Sequence, residues 1–176
     1  ISFVLLGIGL ATKTHLIVAL PLYCVYLFVN KAGTKKIVQS LLIPLVIYIA
    51  LTLPYLFSHG YVEMVLHSAE QAKLFLVSFP YAYENIRFLL APGAVLLLMC
   101  YFFTYPKINQ DMLIFILGLV FSVLVMLVPP MPGWFYWSIP FLTYFYIRNK
   151  EAPHINFWLL NIAYITYFAL QPEANV

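Results

Sequence analysis

MLIFILGLVFSVLVMLV, residues 112–128, decides the fold. It holds no charged side chain, Asp111 precedes it, and Pro129-Pro130 follow it. A helix rises about 1.5 Å per residue, so a run of this length is the size that crosses a bilayer core. Working outward, similar runs recur at 37–57, 88–103, 134–147 and 155–170. Two shorter runs, 1–12 and 16–28, flank Lys13-Thr14-His15 and are read as one broken helix or a pair of half-helices. Gly7 and Gly9 lie in the first of them, where small residues let helices approach closely. Pro44 and Pro54 can bend the 37–57 run. The expected fold is therefore all-α, a polytopic transmembrane helix bundle forming one domain over residues 1–176.

Composition excludes the main alternatives. Of 176 residues, 64% are hydrophobic and only 9% are charged, with a mean hydropathy of +0.95. Soluble domains carry about 25% charged residues, so this chain cannot coat a water-soluble globule. A disordered chain is excluded by the same figures. Net charge is only +3 and no basic stripe exists, so nucleic acid is not expected as a partner. Cys24 and Cys100 both lie in apolar runs and read as small packing residues, without metal-ligand spacing. The sequence opens at Ile1 inside an apolar run with no charged region before it. It is read as a piece of a longer membrane protein rather than as a signal peptide.

Orientation follows from the basic residues. Lys31, Lys35, Lys36, Lys107, Arg148 and Lys150 fall in turns that alternate to one side, while Lys73 and Arg87 fall on the other. The positive-inside rule makes the first side cytoplasmic. The segment of about 58–87, the 129–133 turn and the C-terminal tail are then outside. Tyr55, Tyr61, Trp134 and Trp137 fit interfacial aromatic belts.

The outer segment 58–87 is the most polar stretch of the chain. His59, Glu63, His67 and Glu70 fall on one face if it is helical, and Val62, Val65, Leu66, Ala69 and Leu76 fall largely on the other. An amphipathic helix lying on the outer membrane surface is expected. Its polar face either meets water and headgroups or roofs a membrane cavity. His and Glu at this spacing can share an ion, but no HExxH signature accompanies them. No cofactor is expected, with a divalent metal left open. Asp111, the only Asp, reads as a helix N-terminal acid.

Cations at membrane depth carry the remaining signal. Lys13 and His15 interrupt apolar sequence, where ionisable groups must face protein or water. Arg87, at headgroup depth, offers a planar fork of donors that suits phosphate, or anchors to lipid phosphate by snorkelling. Residues 129–140 place Trp134, Tyr136 and Trp137 behind a proline-stiffened outer turn. Aromatic faces of this kind bind sugar rings or form an interfacial belt.

Gly7-Ile8-Gly9-Leu10-Ala11-Thr12-Lys13-Thr14-His15, followed by Leu20-Pro21-Leu22, resembles a segment of the polytopic GT-C membrane glycosyltransferases. The stretch Pro129-Pro130-Met131-Pro132-Gly133-Trp134-Phe135-Tyr136-Trp137-Ser138-Ile139-Pro140 resembles the proline–aromatic outer turn near the C-terminal end of bacterial members. The resemblance implies a multi-pass enzyme, in a bacterial plasma membrane rather than an organelle. It would move a sugar from a polyprenyl-phosphate donor to a lipid-linked or cell-envelope glycan. Membrane lipids, that donor, and a glycan or lipid acceptor are the implied partners. Lys13 and Arg87 become candidates for the donor phosphate. His15, Glu63, His67, Glu70, Trp134, Tyr136 and Trp137 become candidates for the cavity or the acceptor. The catalytic carboxylate of the family sits in an early outer loop, so it is expected upstream of Ile1. A transporter or lipid flippase is the alternative, since broken helices suit that too. It predicts polar residues along a path through the spans. A non-catalytic membrane subunit, needing only packing, is a further one.

Overall fold

A computed structural model describes residues 2–67, 72–81, 83–128, 132–151 and 153–170. The chain is mostly helical. Helix α1 (Ser2–Thr12) leads through a 3-10 turn (Thr14–Val18) into α2 (Ala19–Val29). α3 (Thr34–Thr52) continues as a 3-10 segment to Phe57. After an irregular stretch and a two-stranded hairpin come α4 (Leu90–Phe103), α5 (Gln110–Leu127), α6 (Ile139–Arg148) and α7 (His154–Leu170).

Helices α1 and α2 double back on each other. The Phe3 and Tyr23 rings meet edge to face at 5.8 Å, and Gly9 lies against Leu16 beside the turn. α3 packs along both of them. α5 is the central helix. Its Leu113, Ile116, Val120, Phe121 and Leu124 are buried against α2, α4 and α6. Two helical stretches among the described residues are long and apolar enough to cross a membrane, Thr34–Phe57 and Gln110–Leu127. Outward faces are apolar as well: Val38, Leu42, Val46 and Ile49 on α3, and Ile155, Trp158, Leu159 and Ile162 on α7, are all exposed. A water-soluble helix shows the opposite arrangement.

Side-chain bonds tie the helix ends together in two groups. At one end, the Asn30 amide bonds both the carbonyl (2.8 Å) and the N–H (3.3 Å) of Ile108. Asn109 caps α5 by accepting from Met112 N–H, and Arg148 stands 3.5 Å from Asp111. Lys31, Lys107 and Lys150 in the connecting turns, and Lys35 and Lys36 in the first turn of α3, therefore adjoin one end of the helices. At the other end His15 meets Trp134 and Trp137.

The amphipathic helix expected from His59 to about Leu76 is not one regular α-helix among the described residues. His59–Tyr61 forms a single helical turn and Val62–Leu66 a wider π turn; a 3-10 turn follows at Lys73–Phe75. Strand β1 (Ser78–Tyr81) then pairs antiparallel with β2 (Tyr83–Leu89), Phe79 opposite Phe88 and Pro80 opposite Arg87. Aromatic and β-branched residues favour a strand, and proline is tolerated where every strand is an edge. Arg87 thus sits on a strand, and α4 begins only at Leu90. The run expected at 134–147 is likewise divided: Pro132–Trp137 is a 3-10 turn and the helix starts at Ile139, with Pro140 in its first turn.

Candidate functional site

The site grows from the break after α1. Thr12 Oγ1 donates to the Gly9 carbonyl at 2.7 Å, a local bond that competes with helix continuation. Lys13 N–H also bonds Gly9 O, and Lys13 itself turns extended (φ −144, ψ 99). A 3-10 turn then starts, with Leu16 N–H on the Lys13 carbonyl. This geometry leaves Lys13 exposed and His15 half-buried.

The opposing wall comes from the far end of the sequence. Pro132–Trp137 curls into a 3-10 turn held by Ser138, whose buried hydroxyl donates to the Phe135 carbonyl at 3.0 Å. Phe135 is buried and stacks on Tyr164 at 4.2 Å, which aims its neighbours the other way. Trp134 and Trp137 stack on each other at 5.1 Å with 18° between their planes. The His15 ring lies 4.3 Å from Trp137 and 6.0 Å from Trp134.

Lys13, His15, Tyr136 and Trp137 line one cavity of about 210 Å³. Leu16, Phe121, Pro140 and Phe141 complete it. Its floor is aromatic, with Phe121 and Phe141 stacked at 5.5 Å. Lys13 makes no ion pair among the described residues. Among the described residues, the cavity therefore offers a cation without an ion-pair partner beside flat aromatic surfaces. Burial pushes the His15 pKa down, and the Lys13 ammonium pushes it further the same way. A neutral imidazole at pH 7 can accept as well as donate.

The other candidates stand apart. Arg87 is exposed on β2 and does not line this cavity. Glu63 and His67 pair loosely with each other at 3.7 Å, both more than half exposed. Glu70 lies outside the described residues. Among the described residues no three His, Cys, Asp or Glu side chains gather as a metal-binding group. Trp134 joins the site through its rings rather than as a lining residue of the cavity.

Sequence reasoning passed over Leu16, Phe121, Pro140 and Phe141, because nothing distinguishes an apolar cavity wall from an apolar span in one dimension. It read Asp111 as a helix N-terminal acid. Asp111 indeed opens α5, but it also accepts from Tyr144 Oη at 2.6 Å and faces Arg148. No protein-family model, no curated protein and no solved structure matches the chain.

Proposed function

We propose that the chain works in a multi-pass membrane glycosyltransferase of a bacterial plasma membrane. It takes a sugar from a polyprenyl-phosphate donor at the outer face and passes it to a lipid-linked or cell-envelope glycan. The carrying observation is the single cavity in which Lys13 and His15 meet Tyr136 and Trp137. In this reading the Lys13 ammonium holds the donor phosphate and offsets the charge that grows on it as the glycosidic bond breaks. The Trp134–Trp137 stack gives the sugar ring a flat apolar face, and neutral His15 supplies a hydrogen bond at its edge. The membrane holds the long lipid donor near the site, which supplies proximity. Deprotonation of the acceptor is assigned to no residue of this chain.

Membrane embedding is supported by the apolar outward faces of α3 and α7 and by the clustering of basic turns. The transport alternative asks for polar groups along the spans. Ser40 and Thr52 return their hydroxyls to the carbonyls of Ile37 and Tyr48 within their own helix, and among the described residues Ser122 in α5 is the buried hydroxyl left without a partner. One such group does not make a polar path, which favours chemistry at the outer end. Arg87, outside the cavity, anchors the hairpin to headgroups in this reading.

The test measures sugar transfer from a polyprenyl-phosphate donor in membranes holding the full-length protein. Lys13→Ala is expected to lower the rate about 100-fold, the scale of removing one charge-stabilising donor, with Lys13→Arg partly restoring it. Arg87→Ala is expected to stay near the wild-type rate. Full activity in Lys13→Ala removes the donor-phosphate assignment. Movement of lipid across the bilayer without sugar transfer establishes the flippase alternative instead.

A further inference from the structure

A second polar cavity lies at the basic end of the helices, far along α5 and α6 from the His15 site. It measures about 430 Å³, and Asp111, Tyr144 and Arg148 form its charged wall. Tyr144 Oη donates to Asp111 Oδ1 at 2.6 Å, while Arg148 Nε faces Oδ2 of the same carboxylate at 3.5 Å. The Tyr bond fixes the carboxylate. The Arg contact is longer than a charge-assisted hydrogen bond and leaves the guanidinium adjustable. Both charges remain reachable, with side-chain exposures of 70% for Arg148 and 44% for Asp111. Phe115 and Phe145, their rings 4.5 Å apart, give the same cavity an apolar wall.

This is an acid and a base side by side over an aromatic wall, at the end of helices whose outer faces are apolar. We infer that the cavity holds the headgroup of a phosphatidylethanolamine molecule from the cytoplasmic leaflet. Arg148 takes the phosphate, Asp111 takes the ammonium an ethylene link away, and Phe115 and Phe145 meet the start of the acyl chains. A primary ammonium has three donors to give Asp111. A trimethylated choline has none, and an anionic phosphatidylglycerol brings no positive group to the carboxylate. The inference rests on the membrane placement proposed above and not on the sugar chemistry.

The experiment purifies the full chain in detergent and adds phosphatidylethanolamine, phosphatidylcholine or phosphatidylglycerol of identical acyl chains, with lipid retention read by native mass spectrometry. Phosphatidylethanolamine is expected to be retained about tenfold more tightly than the other two, the ratio of one charge-assisted hydrogen bond. Asp111→Asn is expected to erase its advantage over phosphatidylcholine. Arg148→Ala is expected to weaken all three. The conservative Tyr144→Phe keeps both charges and should reduce the preference without erasing it. Equal retention of the three lipids by the unaltered chain overturns the inference, as does a preference for phosphatidylglycerol. Lipid selectivity with no sugar transfer sinks the transferase reading alone. Sugar transfer with no selectivity sinks this one alone.

Discussion

The His15 imidazole stacks at 4.3 Å on the Trp137 indole, 31° from parallel, joining the turn after α1 to the turn before α6. Two influences on the imidazole charge oppose each other there. An indole face attracts an imidazolium. Burial and the nearby Lys13 ammonium disfavour it, and these set the direction: the folded pKa falls below 6.5. His15 thus meets Trp137 as a neutral ring, and the contact is one of packing.

That sign fixes a pH dependence. Between the depressed folded pKa and the unfolded value of 6.5, the unfolded chain binds more protons, so stability rises with pH. The contribution is fully present above about pH 6.5 and is lost as pH falls through the folded pKa. Thermal unfolding of the wild type is expected to move to lower temperature below that pH. His15→Phe keeps a ring against Trp137 but cannot titrate, so its curve should be flatter. Lys13→Gln is expected to raise the His15 pKa, read by histidine NMR titration. A wild-type His15 titrating above 6.5 contradicts the assignment.

Glycine substitutions separate two positions that look alike in sequence. A Cβ on Gly7 would sit 2.8 Å from Ile47 Cβ and 2.9 Å from the Pro44 carbonyl, so the backbones of α1 and α3 would have to part. At Gly9 it would meet only the Leu16 Cδ1 tip at 3.1 Å, which can swing away. Gly7→Ala is expected to destabilise the fold by about 1–3 kcal/mol, the usual overpacking range. Gly9→Ala is expected to stay within about 0.5 kcal/mol of wild type. Thermal melts followed by circular dichroism in one detergent check both. Equal melting temperatures for the two variants contradict the close α1–α3 contact.

This contrast shows how far the sequence could be read. Gly7 and Gly9 share a spacing and a composition, yet only contact with α3 tells them apart. Lys13 and His15 were visible because ionisable groups in apolar sequence are conspicuous, and so were the aromatics behind the proline turn. Their meeting was not visible, since no local rule links residue 15 to residue 137. The helical reading of the outer segment, from His59 to about Leu76, rests on the spacing of His59, Glu63 and His67, which suits one helical stretch and accounts for the Glu63–His67 contact. It said nothing about 78–89, where Pro80 interrupts the alternation of a strand and hides the hairpin. Arg87 moved from a helix start to a strand for that reason.

Asn30 gives the most local test of how the basic turns are held. Its Nδ2 donates to the carbonyls of Tyr26 (2.9 Å) and Ile108 (2.8 Å), and its Oδ1 accepts from Ile108 N–H at 3.3 Å. Two carbonyl acceptors on one side fix which way the amide faces. Ile108 is 2% exposed, so water cannot readily replace these bonds. Asn30→Ala strips both backbone groups of Ile108 of this partner and is expected to destabilise by about 1–3 kcal/mol. Asn30→Asp keeps an acceptor for Ile108 N–H but turns a carboxylate oxygen toward two carbonyls, so it should be no better than alanine. Hydrogen exchange at the Ile108 amide is expected to quicken in Asn30→Ala, with thermal melts reporting the loss. An unchanged exchange rate would mean that the 30–36 and 104–109 turns are joined by helix packing alone.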